Sequence, residues 1–183
     1  MHRMILCLAG ASLACGGTTA RSVSTAAPST ASGPSRVAVA TLVDSAGSQI
    51  GVATLTDSAG ASSLSVSASG LAPGLHGMHV HSQGACTPPG FESAGPHFNP
   101  DGKQHGTRNP AGPHAGDLPN LMAGPDGSAD TTMAVSTGLT SGPHSVLQPG
   151  GTALVIHAGP DDAMTDPSGN SGSRIACGVF RAP

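Results

Sequence analysis

The chain of 183 residues contains no tryptophan, no tyrosine and only three phenylalanines. Large aromatic rings bury about 150 to 250 Å² each, so an aliphatic core without them loses much of the usual stabilisation. A metal site or a disulfide is therefore expected to be structurally necessary. Lys103 is the single lysine and the formal net charge is −3, which argues against a basic patch for nucleic acid.

The first 35 residues differ in composition from the remainder. Residues 1–15 combine an early arginine, a short apolar run and small residues before Cys15, which is typical of a secretory signal and too short to span a bilayer. Residues 12–15, Ser-Leu-Ala-Cys, resemble a bacterial lipoprotein processing site, which would leave Cys15 lipidated and the protein tethered to a membrane. Simple cleavage is the alternative. Either outcome predicts an exported protein, periplasmic or in the cell envelope.

Residues 16–35 consist almost entirely of Gly, Ser, Thr, Ala and Pro and predict a disordered linker before a domain at 36–183. If Cys7 leaves with the signal and Cys15 is lipidated or removed, Cys86 and Cys177 remain. An even pair of cysteines in an exported protein predicts a disulfide.

From Arg36 onward, short apolar alternations separated by turn residues predict an all-β domain. The predicted strands are Val37–Val43, Ile50–Thr56, Ser62–Ser69, Leu75–His81, Ala129–Val135, Thr152–Ala158 and Ile175–Phe180, with a weaker eighth near Asn120–Ala123. Two loops rich in glycine and proline, 82–118 and 159–173, interrupt the regular spacing and are expected to carry function.

Six histidines and one aspartate form the main set of potential metal ligands. His79 and His81 lie two apart in a predicted strand and point to one face of it. His157, at the end of another strand, can join them, and imidazole suits both oxidation states of copper. The first loop offers three nitrogens and one oxygen, a set suited to tetrahedral zinc. These loop residues are His97, His105, His114 and Asp117.

The remaining histidines are predicted to have ordinary roles. His76 shares the inward parity of Met78 and Val80 and should pack inside the fold. His2 and His144 are expected to be neutral polar residues that a neighbour satisfies.

Five segments resemble, in order, the corresponding segments of the copper/zinc superoxide dismutases, and the similarity spans about Arg36 to Phe180. The segments are GLHGMHVHSQGAC, SAGPHFNPDGKQHG, HAGDLPN, ALVIHAGPDD and NSGSRIACGV. The resemblance implies an eight-stranded Greek-key β-barrel or sandwich, immunoglobulin-like, with two long functional loops.

The resemblance also implies roles for individual residues. His79, His81, His97 and His157 would bind copper, and His97, His105, His114 and Asp117 would bind zinc, one ion of each per subunit. His97 would then be the bridging ligand. Arg174 would guide the anionic substrate, Asp161 would link His79 to His105 from behind the ligands, and Cys86 and Cys177 would form the family's disulfide.

The implied activity is an antioxidant one, the conversion of superoxide to oxygen and hydrogen peroxide by alternate reduction and oxidation of the copper. A metal-buffering protein of the same fold and a metal-free adhesion domain are the competing hypotheses. The second loop lacks the lysine and paired glutamates of many relatives, and Gln83 replaces an apolar residue of the animal dimer. A monomer and a homodimer therefore both remain open.

Overall fold

The computed structural model describes residues 35–58, 61–135 and 142–183. The predicted signal peptide, Cys15 and all of the predicted linker except Ser35 lie outside these residues. No helix in the described part of the chain is long and apolar enough to span a membrane.

Nine strands and one short 3₁₀ helix make up the described fold. The strands are β1 (Arg36–Asp44), β2 (Gln49–Ser58), β3 (Ala61–Ala68), β4 (Gly74–His76), β5 (Met78–His81), β6 (Leu121–Ala123), β7 (Ala129–Val135), β8 (Ala153–His157) and β9 (Arg174–Val179). The 3₁₀ helix, Glu92–Ala94, lies in the first long loop. The predicted all-β class is confirmed.

The strands form one curled antiparallel sheet and a small second sheet. The seven-stranded sheet has the order β5-β8-β9-β1-β2-β3-β7, and β4 pairs with β6. In β3 the buried side chains of Leu64, Val66 and Ala68 alternate with more exposed serines, as the sequence pattern predicts. The turn after β1 is fixed by Asp44, whose Oδ1 accepts hydrogen bonds from Ala46 and Ser48 at 2.9 and 2.8 Å.

The sequence predicted one strand over Leu75–His81, and the structure divides it at Gly77. The Gly77 N–H donates to Gly159 (2.7 Å) and its carbonyl accepts from His157 (2.8 Å), so the chain changes partners here. A side chain at this position would collide with Ser171. The division gives nine strands rather than eight, and it leaves β5 paired with β8 while β4 turns to β6.

Two apolar clusters hold the sheet together. The main cluster is mostly aliphatic but includes Phe98 and Phe180. The smaller one surrounds Phe91 and Cys177, and Cys177 forms the predicted disulfide with Cys86. The disulfide joins the first long loop to β9, across 91 residues of sequence.

Candidate metal centre

Strand β5 gathers the predicted ligands because both of its edges are used. One edge pairs with β8, and the other binds the first long loop through bridges of His79 with Asp117 and of His81 with His97. The loop reaches this edge closely because Gly116 has no side chain, and a Cβ there would overlap the Val80 carbonyl. All seven predicted ligands are at most 9% exposed.

The first cluster consists of four ring nitrogens without a hydrogen-bond partner among the described residues. They are Nδ1 of His79 and Nε2 of His81, His97 and His157. One ring nitrogen from each of these residues lies within 4.8 Å of the others. Polar atoms without a partner are costly in a protein interior, so their convergence indicates a site that binds a ligand.

The second nitrogen of three of these rings fixes its tautomer. His79 Nε2 donates to Asp161 Oδ2 at 2.8 Å, and the Nδ1 atoms of His81 and His157 donate to the carbonyls of Gly95 (2.8 Å) and Gly172 (3.0 Å). A neutral imidazole carries a single N–H, so the nitrogen left over has a lone pair. Three lone pairs therefore converge inside the protein, a donor set suited to copper.

The second cluster converges on one oxygen of Asp117. The Nδ1 atoms of His97, His105 and His114 lie 3.1, 2.9 and 3.2 Å from Asp117 Oδ1. His114 Nδ1 lies 3.4 Å from His97 Nδ1. Donors placed tetrahedrally at the usual zinc distance are separated by about 3.3 Å, so the spacing fits zinc.

His105 shows why a cation fits this second cluster. Both of its nitrogens face carboxylates, Nε2 facing Asp161 Oδ1 at 3.0 Å and Nδ1 facing Asp117 Oδ1 at 2.9 Å. The neutral ring can donate to only one of the two. A metal ion between Nδ1 and Asp117 resolves the conflict. His79 also comes near this group, but its nitrogens serve Asp161 and the first cluster.

His97 is the member common to both clusters. Its Nδ1 faces Asp117, its Nε2 belongs to the unpartnered set, and its ring stacks on His79 with 3.9 Å between centroids. The two nitrogens of the His97 ring therefore face different clusters, Nε2 the first and Nδ1 the second.

Asp161 ties the two clusters together through His79 and His105. Its own backbone is clamped by Asn120, which accepts from the Asp161 N–H at 2.8 Å and donates to its carbonyl at 2.9 Å. Gly169 packs against the carboxylate so closely that a Cβ would overlap it. Burial acts to raise the pKa of Asp161, but the hydrogen bonds from His79 and His105 outweigh it and hold this pKa well below its ordinary value. Sequence reasoning missed Asn120, since nothing in its spacing marks it.

Two other carboxylates of the second long loop, those of Asp162 and Asp166, have different hydrogen-bond partners. Asp162 accepts hydrogen bonds from Met164, Thr165 and Asn170 within its own loop. Asp166, another residue that the sequence analysis missed, accepts from the His105 N–H at 2.6 Å and lies 3.8 Å from His114 Nε2. The second long loop is therefore bonded both to itself and to the second cluster.

Arg174 lies beside the first cluster and is held by two carbonyls. Its guanidinium donates to Phe91 at 2.7 Å and to Gly95 at 2.9 Å. The Gly95 carbonyl also accepts from His81, so Arg174 and one histidine of the first cluster share an acceptor. The side chain is half-buried, which leaves part of it exposed to a small anion.

His76 is packed inside the fold and His144 has a polar partner, as expected. The His76 ring is 1% exposed, and its nitrogens lie 2.7 Å from the carbonyls of His157 and Ala72. His144 pairs at 3.1 Å with Asp101 on the surface. His2 lies outside the described residues.

Comparison with known proteins decides the family. The family model described as copper/zinc superoxide dismutase (SODC) matches residues 49–180, which is more than half of the chain. The chain belongs to the copper/zinc superoxide dismutase family. It is therefore an oxidoreductase with the Greek-key β-barrel of that family, whose metals are copper and zinc.

Relatives within this superoxide dismutase family include both named enzymes and a protein named only as similar. Superoxide dismutase [Cu-Zn] 2 of Aquifex aeolicus is 49% identical over 121 residues, covering 64% of this chain and 71% of that protein. The superoxide dismutase-like protein YojM of Bacillus subtilis is 49% identical over 120 residues, covering 64% of this chain but only 61% of YojM. A crystal structure of a superoxide dismutase-like protein from Bacillus subtilis has a TM-score of 0.73 and 42% identity, covering 77% of this chain and 96% of that one.

Replacement of Asp161 tests its place behind the ligands. In Asp161→Asn the amide cannot accept from both His79 and His105, so we expect metal affinity to fall about 10- to 100-fold. Competition of the metal-loaded protein with a chelator measures the change. Asp162→Asn is the matched control, because Asp162 does not contact a histidine and an asparagine keeps the turn. Equal metal retention in both variants would contradict the role of Asp161.

Acid stability of the metal-free protein tests the buried tautomers. Burial lowers the pKa of His79 and of His157 to about 4, and the pKa of His81 to about 2. Between about pH 6.5, where free histidine titrates, and pH 4, the unfolded chain binds protons that the folded chain does not. The free energy of unfolding should thus fall as the pH falls through this window, by up to about 1.4 kcal/mol per pH unit for each histidine.

Urea titrations at successive pH values measure this slope. His79→Gln should make it shallower, whereas His144→Gln, at the exposed surface pair, should leave it almost unchanged. A free energy of unfolding that stays constant from pH 6.5 to 4 would refute the buried neutral rings.

Proposed function

We propose that the chain converts two superoxide ions and two protons to oxygen and hydrogen peroxide at a copper ion that a shared imidazole joins to a zinc ion. The proposed copper ligands are His79, His81, His97 and His157. The proposed zinc ligands are His97, His105, His114 and Asp117. One ion of each metal is expected per subunit.

The observation that carries the proposal is the set of four buried ring nitrogens that have no partner in the part of the chain that the structure describes. Copper bound there would supply one-electron chemistry, accepting an electron from one superoxide and returning it to a second. The burial that lowers the pKa of His79 and His157 keeps these rings neutral at physiological pH, with lone pairs ready to bind.

Arg174 supplies the positive charge that attracts the substrate. From Arg36 onward the chain has five basic and ten acidic side chains, so its overall charge repels an anion. Attraction must therefore come from a local field. The Phe91 and Gly95 carbonyls hold the guanidinium beside the first cluster. These two bonds use two of its five N–H groups, and the others can donate to an anion.

His97 is suited to hold one of the two protons that peroxide formation consumes. Its Nε2 has no other partner among the described residues, while its Nδ1 is engaged on the Asp117 side. The second cluster would thus hold the His97 ring in place. Asp161 would fix the positions of His79 and His105 relative to each other.

Purified protein loaded with both metals is expected to dismutate superoxide far above the background of free copper. Arg174→Ala should lower the second-order rate constant about tenfold or more, because an ionic hydrogen-bond donor to the anion is lost. Pulse radiolysis measures the rate, and elemental analysis of the same sample measures the metals. Arg36→Ala, a change of an exposed arginine, is the matched control.

The outcomes separate the competing functions. A protein that retains copper and zinc without dismutation above background is a metal buffer. One that retains no stoichiometric metal is a structural or adhesion domain. Loss of rate in Arg174→Ala with unchanged metal content is expected only for the enzyme.

We further infer that the protein is exported. The Cys86–Cys177 disulfide supports an oxidising compartment. The sequence of residues 1–15 supports a signal peptide and, in one reading, a lipid on Cys15. Mass spectrometry of the mature N-terminus distinguishes diacylated Cys15 from simple cleavage, and an N-terminus that still begins at Met1 contradicts export by this signal.

A further inference from the structure

The loop between Cys86 and His97 contributes more to the site than its disulfide. It supplies both carbonyls that hold Arg174, that of Phe91 at 2.7 Å and that of Gly95 at 2.9 Å. The two acceptors bind different terminal nitrogens of the guanidinium, so together they fix both its position and its plane. Because Gly95 is also committed to His81, the Phe91 carbonyl is the acceptor that serves Arg174 independently of the ligand histidines.

Phe91 holds this carbonyl in an uncommon backbone conformation. Its φ and ψ of 58° and 25° lie in the left-handed region, which a bulky side chain rarely adopts. Such a conformation persists only where the surroundings enforce it, and it often marks a functional position. The Phe91 N–H donates to Thr87 at 3.1 Å, and the carbonyl also accepts from Ala94 at 3.0 Å, so the peptide units on both sides are fixed.

Packing of the phenyl ring holds Phe91 in this left-handed conformation. It is fully buried, at 0% exposure, in the smaller apolar cluster. The other buried members of that cluster are Ala94, Ala153, Val155 and Cys177. All four lie on β8, β9 or the 3₁₀ helix, so the ring joins the loop to the two strands that carry His157 and Arg174.

We propose that Phe91 is a positioning residue for Arg174: its buried ring anchors the left-handed turn that aims its carbonyl at the guanidinium. The inference deepens the proposed function, on which it rests, by naming the residue that sets the anion-binding geometry. Phe91 itself touches neither the anion nor a metal. Without the ring, the turn relaxes, the guanidinium loses one of its two acceptors, and anions bind less tightly.

The azide affinity of the copper- and zinc-loaded protein, measured through the visible absorption of copper, tests this role. Azide is the probe because it is a small anion of single charge. Arg174→Ala should weaken its binding roughly tenfold, the scale of one ionic hydrogen bond. Phe91→Ala should approach that loss, and Phe91→Leu, which keeps an apolar anchor, should restore most of the affinity.

Two further variants separate positioning from general destabilisation. Phe180→Ala removes a ring that is also buried, at 3% exposure, from the main cluster rather than from the one that contains Phe91, and it should leave azide affinity unchanged. Phe91→Gly keeps the turn accessible without strain, because glycine adopts positive φ freely, and it should weaken azide although it folds. It is therefore the decisive variant if Phe91→Ala fails to fold.

A double-mutant cycle completes the test. If Phe91 acts through Arg174, the pair Phe91→Gly and Arg174→Ala should bind azide as weakly as Arg174→Ala alone. Azide affinity of Phe91→Gly within twofold of the wild type, or additive losses in the pair, would overturn the proposal.

A copper-independent measurement keeps this inference distinct from the proposed function. In the zinc-loaded protein, the side-chain N–H signals of Arg174 should exchange with solvent faster in Phe91→Gly than in Phe180→Ala. Wild-type protein that fails to dismutate superoxide refutes the function, and unchanged exchange in Phe91→Gly refutes the positioning role.

Discussion

The rest of the structure depends on the fixed tautomers of the buried imidazole rings. Each ring of the first cluster except His97 donates its single N–H to a carbonyl or carboxylate, which leaves the opposite nitrogen with a lone pair and no partner among the described residues. Protonating these nitrogens is opposed by burial, which lowers the pKa of each ring. A metal ion can bind these nitrogens without adding a proton, so metal binding and folding are coupled.

The shared acceptors explain how a chain with few aromatic residues keeps this site rigid. Asp161 binds two ligand histidines, and the Gly95 carbonyl binds His81 and Arg174. Each shared acceptor ties a loop to a strand or to another loop. The disulfide and Phe91 connect the same loop to β9, so the long irregular segments are held by polar and covalent links rather than by a large core.

Much of this arrangement was predictable from sequence because it follows from short-range geometry. The parity of His79 and His81 within β5 placed both on one face, and the spacing of three histidines and Asp117 indicated a second donor set. The burial of His76 followed from the same parity. The pairing of Cys86 with Cys177 followed from counting cysteines and from the family resemblance.

The features that sequence reasoning missed depend on where loops run in three dimensions. The break at Gly77 arises because Gly159, more than eighty residues away, takes over its N–H. Asn120 and Asp166 act through contacts with distant segments, and neither has a spacing that marks it. Phe91 gave no signal because the group that faces Arg174 is a backbone carbonyl, and because its ring packs against residues of β8 and β9 that are distant in sequence.

The most direct test of the central claim is a crystal structure of the metal-loaded protein with anomalous diffraction collected at the copper and zinc absorption edges. The account predicts copper among the unpartnered nitrogens of His79, His81, His97 and His157, zinc between the Nδ1 atoms and Asp117, and the His97 ring contacting both metals. A single metal position, or a His97 ring bound to only one of two metals, would contradict it.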